Sequence, residues 1–100
     1  MILILMMRCK TLLQNMTSNK GNKVANQFIV TLPENVTVFQ SYKTVIAQNR
    51  NGKIVLDSKA LDYSATTTKY LKQFLGTNES KKQLQDKIQS GFYQVADLNN

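Results

Sequence analysis

The apolar residues of this chain change period near residue 60, and that change limits the folds open to it. Before it, β-branched and aromatic residues recur at alternate positions, as in half-buried strands. After it, Tyr70, Leu71, Phe74 and Leu75 recur at i, i+1, i+4 and i+5. On a helical wheel these four cover one arc of about 140°, with Lys69, Lys72 and Gln73 opposite. Strands followed by helices predict an α+β fold. One hundred residues make one domain, which we place at residues 10–98.

Turn residues divide the first half. Asn51-Gly52, inside NRNGK (49–53), supplies both positive-φ positions of a type I′ hairpin. After it, Ile54 and Leu56 share one face, with Val55 and Asp57 on the other. An earlier turn, NKGNK (19–23), joins KTLLQNMTS to VANQFIVTL. Alternation there puts Val24, Phe28, Val30 and Leu32 on one side, with Asn26 breaking the pattern. Pro33-Glu34-Asn35 turns the chain into 36–40, and Ser41-Tyr42-Lys43 bends it towards 44–48. Residues 10–57 thus read as a meander of four or five antiparallel strands.

The second half reads as two short helices. Gly76 stands at the C-cap position of the first. The second, over 79–89, is expected to be capped by Thr77 or Asn78, with Glu79 in its electropositive first turn. It carries only a narrow stripe, Leu84 and Ile88, and Ser90-Gly91 ends it. Residues 92–96 form a last short strand. The expected architecture is a small antiparallel sheet of four to six strands, packed with two short C-terminal helices and a final short strand.

Residues 1–9 read as an N-terminal extension or first-strand residues. MILILMM is too short to cross a bilayer, which takes about 20 residues. Arg8 and Lys10 follow the apolar run rather than precede it, unlike a signal peptide, and bulky Met7 before Cys9 argues against lipid attachment. Met1, Met6, Met7 and Met16 could each serve as the start. With no export signal, the expected location is the cytoplasm.

The chemistry open to the chain is narrow. It has no histidine and one cysteine, so histidine-based triads, an intrachain disulfide and cysteine zinc sites are excluded. Asp57 and Asp62 are close in sequence but form no D-x-D pattern, and no glycine-rich phosphate loop occurs. Asn-x-Ser/Thr triplets at Asn15, Asn35 and Asn78 read as accidents of an asparagine-rich chain. We expect no enzyme activity, no cofactor and no metal.

Net charge is +7, from 13 basic and 6 acidic residues, and all the basic residues except Arg8 and Arg50 are lysines. Such a balance draws nucleic acid, an anionic membrane or an acidic protein, or simply keeps a small protein soluble, and the scatter of the lysines from Lys10 to Lys87 favours solubility. The densest polar feature is DYSATTTKYLKQFLG (62–76). Its hydroxyls open the first helix, where unpaired N–H groups can hold a phosphate, although Ser64 or Thr66 also explains itself as an N-cap. The candidate nucleic-acid or anion site is Tyr63, Ser64, Thr66, Thr67, Lys69 and Lys72. Tyr42, Tyr63 and Tyr93 are either stacking platforms or partly buried core residues.

The words FQSY (39–42), LD (56–57), DYS (62–64), TT (66–67), KY (69–70), FLG (74–76), SG (90–91) and DLN (97–99) occur in this order. Through them the chain resembles an uncharacterised, domain-of-unknown-function family of small proteins from bacteriophages, prophages and mobile elements. The resemblance covers about residues 19–99 and leaves residues 1–9 outside. Ala60 stands where that family usually has an aromatic, so no stacking residue is implied there. The resemblance implies an accessory protein of the host cytoplasm with no assigned activity. We therefore expect a non-enzymatic protein that binds a host or phage macromolecule, with nucleic-acid phosphates favoured and no membrane association. The alternative is a protein-interaction module or inhibitor of a host factor, using a sheet face or a strand edge near Tyr42 and Val45. Nothing in the sequence sets the oligomeric state.

Overall fold

The computed structural model describes residues 12–18 and 20–99. Expectations for residues 1–10, Cys9 and Lys10 included, lie outside the described residues, as does Asn19 of the first turn. Six strands form one sheet: β1 (Leu12–Thr17), β2 (Lys23–Leu32), β3 (Val36–Ser41), β4 (Thr44–Arg50), β5 (Lys53–Asp57) and β6 (Gln94–Ala96). Between β5 and β6 run α1 (Ala65–Leu75) and α2 (Lys81–Gln89).

The turns fall where the residue types allow them. Asn51 and Gly52 both take positive φ, 55° and 89°, between the paired Arg50 and Lys53. Glu34 and Asn35 do the same after Pro33. Strand order follows chain order, so β1 to β5 form an antiparallel meander. The last strand adds beside β5 in parallel, which makes the sheet mixed. A parallel return needs a long crossover, and the two helices supply it.

Residues Ile29, Phe39, Ala47 and Leu56 pair in one row across four strands. Paired residues share a face, and Phe39, Ala47 and Leu56 are fully buried against the helices. From α1 come Tyr70, Leu71, Phe74 and Leu75, the arc expected from the sequence, and from α2 come Leu84 and Ile88. The Phe39 and Phe74 rings stack at 6.0 Å.

Two irregularities correct the simple alternation. Val24 and Ile29 both pack on the core although they lie five positions apart, an odd spacing that no regular strand permits. Asn26, at φ 65°, switches the parity between them. Phe28, Val30 and Leu32 therefore lie on the face opposite Val24, not beside it. In β4, Phe39 pairs with Ala47 and Gln40 with Val45, leaving Ile46 as the extra residue. That bulge lets the consecutive Ile46 and Ala47 both reach zero exposure.

The helix ends also depart from expectation at one place. Gly76 is left-handed and closes α1 as expected: its N–H donates to Gln73 O and the Thr77 N–H to Lys72 O. The cap of α2, however, is Ser80 rather than Thr77 or Asn78. Ser80 Oγ accepts from Gln83 N, and Gln83 returns a bond to the Ser80 amide. A Ser-x-x-Gln box satisfies two amides at once, which a lone Thr or Asn does not. Thr77 instead bonds Glu79 through its hydroxyl at 3.0 Å.

Candidate nucleic-acid interface

The start of α1 is built from its hydroxyls. Ser64 is extended, at φ −66° and ψ 166°, and its Oγ accepts from Thr67 N at 3.2 Å. Its carbonyl accepts from Thr68 N. Thr67 is buried, and its hydroxyl lies 3.2 Å from Ser41 Oγ on β3 and 3.3 Å from Ser64 Oγ. These bonds join helix, cap and sheet. Thr67 is turned to the interior, whereas Ser64 stays exposed although its hydroxyl caps the helix. Thr66 is exposed on the first turn.

The other predicted residues converge. Tyr63, Lys69 and Lys72 line one open groove of about 560 Å³ between the start of α1 and the start of α2. Thr68 and Ala65 lie between them, and Ser80 and Lys81 close the far side. Lys69 and Lys72 continue into an adjoining depression with Gly76, Thr77 and Asn78. Lys81 was the one basic group of this groove outside the predicted set. Its approach depends on the chain folding back between Gly76 and Ser80, which no local spacing encodes.

Among the described residues, carboxylates pair with Lys82 and Lys87, not with Lys69, Lys72 or Lys81. Lys87 Nζ lies 2.9 Å from Glu79 Oε1. The lysine holds the Glu79 carboxyl below the usual carboxylate range, helped by the Thr77 hydroxyl and opposed by desolvation. Glu79 in turn raises Lys87. Lys69 Nζ sits 5.4 Å from the Tyr70 ring centre, a cation–π contact that leaves its charge intact.

Behind Tyr63 lies a second depression of about 450 Å³, bordered by Lys43, Thr44, Lys59, Asp57 and Asp97. Asp57 is buried and serves the fold. Its Oδ1 accepts from Leu98 N and Asn99 Nδ2, and its Oδ2 from Lys59 N. Asp62 is exposed and lines neither depression. Among the described residues no group of three acids, cysteines or histidines could hold a metal ion. No described helix is long and apolar enough to cross a membrane.

The strand edge near Val45 is closed. β4 lies inside the sheet, and past the end of its pairing with β5 the Asn99 side chain takes over. Asn99 Oδ1 accepts from Val45 N at 2.8 Å, and Asn99 Nδ2 donates to Val45 O at 2.9 Å. Tyr42 remains 64% exposed at the β3–β4 turn.

A family model described as a family of unknown function, DUF8033, matches residues 11–90. The chain belongs to this family. The DUF8033 match takes in β1 through α2 and every groove residue, and it stops short of β6. It begins before the span of resemblance read from the sequence words and ends before the DLN word at 97–99. No curated protein and no solved structure matches the chain.

Proposed function

We propose that this DUF8033 protein is a non-enzymatic accessory protein that binds nucleic acid through its phosphates. The observation that carries this reading is the groove where Lys69, Lys72 and Lys81 converge, with no carboxylate paired to any of them among the described residues. Three such ammonium groups attract a polyanion and release its counterions on contact. The phage or mobile-element setting, in a host cytoplasm, extends the resemblance carried by FQSY, DYS and FLG. The second reading, a module that binds a host protein, is favoured by the exposed rings of Tyr42 and Phe92.

Fluorescence polarisation with a labelled oligonucleotide at two salt concentrations tests the proposal. Binding should weaken steeply with salt, with a log–log slope of about 0.7–0.9 per phosphate contact. Replacing Lys69, Lys72 and Lys81 together by alanine should flatten that slope. Absence of binding at low salt, or binding indifferent to salt, refutes the proposal. Capture of one host protein that survives nuclease treatment would support the second reading instead.

A further inference from the structure

Tyr63 forms the shared wall of two depressions. On one side stand Lys69, Lys72 and Lys81, and on the other Lys43 and Lys59. The tyrosine thus interrupts a run of lysines, and its side chain is left 37% exposed rather than packed away. A duplex gains little from such a ridge. Its bases are stacked on each other, and it is too stiff to dip into the depressions on both sides of Tyr63. An unpaired strand bends readily and offers its base faces, which stack on aromatic side chains without regard to sequence.

Resting on the phosphate-binding reading above, we infer that the ligand is single-stranded nucleic acid, with one base laid on Tyr63 and its flanking phosphates on the lysines to either side. The acids of the second depression do not oppose this equally. Asp57 is buried and accepts from three N–H donors, and Asp97 accepts from Asn99 N, but the first depression has no acid in its lining among the described residues. The strand should therefore lie most firmly on the Lys69–Lys72–Lys81 side. Ala65 and Thr68, between Tyr63 and the lysines, give that side small side chains against which the edge of a stacked base can rest.

The test compares a fluorescein-labelled oligothymidylate with a mixed-sequence duplex of equal length, in the same low-salt buffer, on the full chain. The single strand should bind more tightly. Tyr63→Ala should weaken its binding about ten-fold, the worth of one stacked base, and leave the duplex unchanged. Tyr63→Phe should retain single-strand binding, since the ring and not the hydroxyl does the stacking. Lys43→Ala with Lys59→Ala should reduce the salt dependence for the single strand. Equal affinity for the two ligands, or a Tyr63→Ala variant that binds oligothymidylate as well as the parent, overturns this inference. In that case a salt slope still sensitive to Lys69, Lys72 and Lys81 keeps the phosphate reading. If neither ligand binds at low salt, both readings fall. Circular dichroism on each variant confirms that the fold is intact, as expected for a side chain outside the core cluster.

Discussion

Ser64 ties down the first turn of α1 through both its side chain and its carbonyl. Ser64→Ala removes the side-chain acceptor for Thr67 N and should cost about 1 kcal/mol, as N-cap losses do. Thermal melts should show a fall of roughly 4–8 °C per kcal/mol in a domain of this size. An unchanged melt would mean the cap contributes nothing. Thr67 extends the same logic inward, because its position three residues before Tyr70 and four before Leu71 sets it on the buried arc. That placement was legible in the sequence, and the density of hydroxyls around it hid it. The Glu79–Lys87 pair makes a separate prediction. With its carboxyl held low, Glu79 supports the fold above its unfolded pKa and loses that support as pH falls through the folded one. Lys87, raised, supports the fold below its unfolded pKa and loses that support as pH rises through the folded one. Carboxyl NMR should therefore find Glu79 titrating below an ordinary glutamate, and Lys87→Met should move its midpoint back up. A midpoint that does not move would show that the ion pair does not form.

Elements were legible where their signals were local. The arc of α1, the Asn51-Gly52 turn and the left-handed Gly76 each depend on a few neighbouring residues, and each formed as the spacing requires. The β2 bulge is different in kind. Its left-handed Asn26 is held by a bond from Tyr42 N to Asn26 O, 2.7 Å long, across a turn sixteen positions away. Nothing within VANQFIVTL announces that partner, so strict alternation assigned Phe28, Val30 and Leu32 to the wrong face. The groove divides in the same way. Tyr63, Lys69 and Lys72 fall within about three turns of one helix start and could be grouped from spacing alone, whereas Lys81 joins only through the return of the chain after Gly76. The bulge can be tested directly. Asn26→Val places a β-branched residue at positive φ and should cost about 1–2 kcal/mol in urea unfolding. Asn26→Gly should cost far less, since glycine accepts that conformation. Equal losses from both substitutions would assign the effect to the Asn26 side chain instead of the backbone.

At the scale of the molecule, the family match and the packed core have different limits. The match stops at residue 90, yet Tyr93 is 6% exposed and belongs to the core cluster. It meets Phe92 edge-on at 5.0 Å, and Lys87 lies over both rings. Beyond it, β6 pairs with β5, and the Ser58 N–H donates to Ala96 O. Leu98 and Asn99 then satisfy the buried Asp57 and the exposed flank of Val45. Removing residues 91–100 would open the core beside Leu56 and strip two N–H donors from a buried carboxylate. Losing hydrogen-bond partners to a buried charged group costs about 1–3 kcal/mol or more, and loss of a buried aromatic about 3–5 kcal/mol. Those losses rival the whole stability of a domain of this size, roughly 5–15 kcal/mol. A chain ending at Ser90 should therefore show no cooperative unfolding transition, or one at far lower urea, although it contains the full family match. Asn99→Ala should be milder: the transition should survive, with faster amide exchange at Val45, whose N–H loses its acceptor. A truncated chain that unfolds at the same urea concentration as the full one would mean that β1 through α2 hold the fold without the C-terminal clamp.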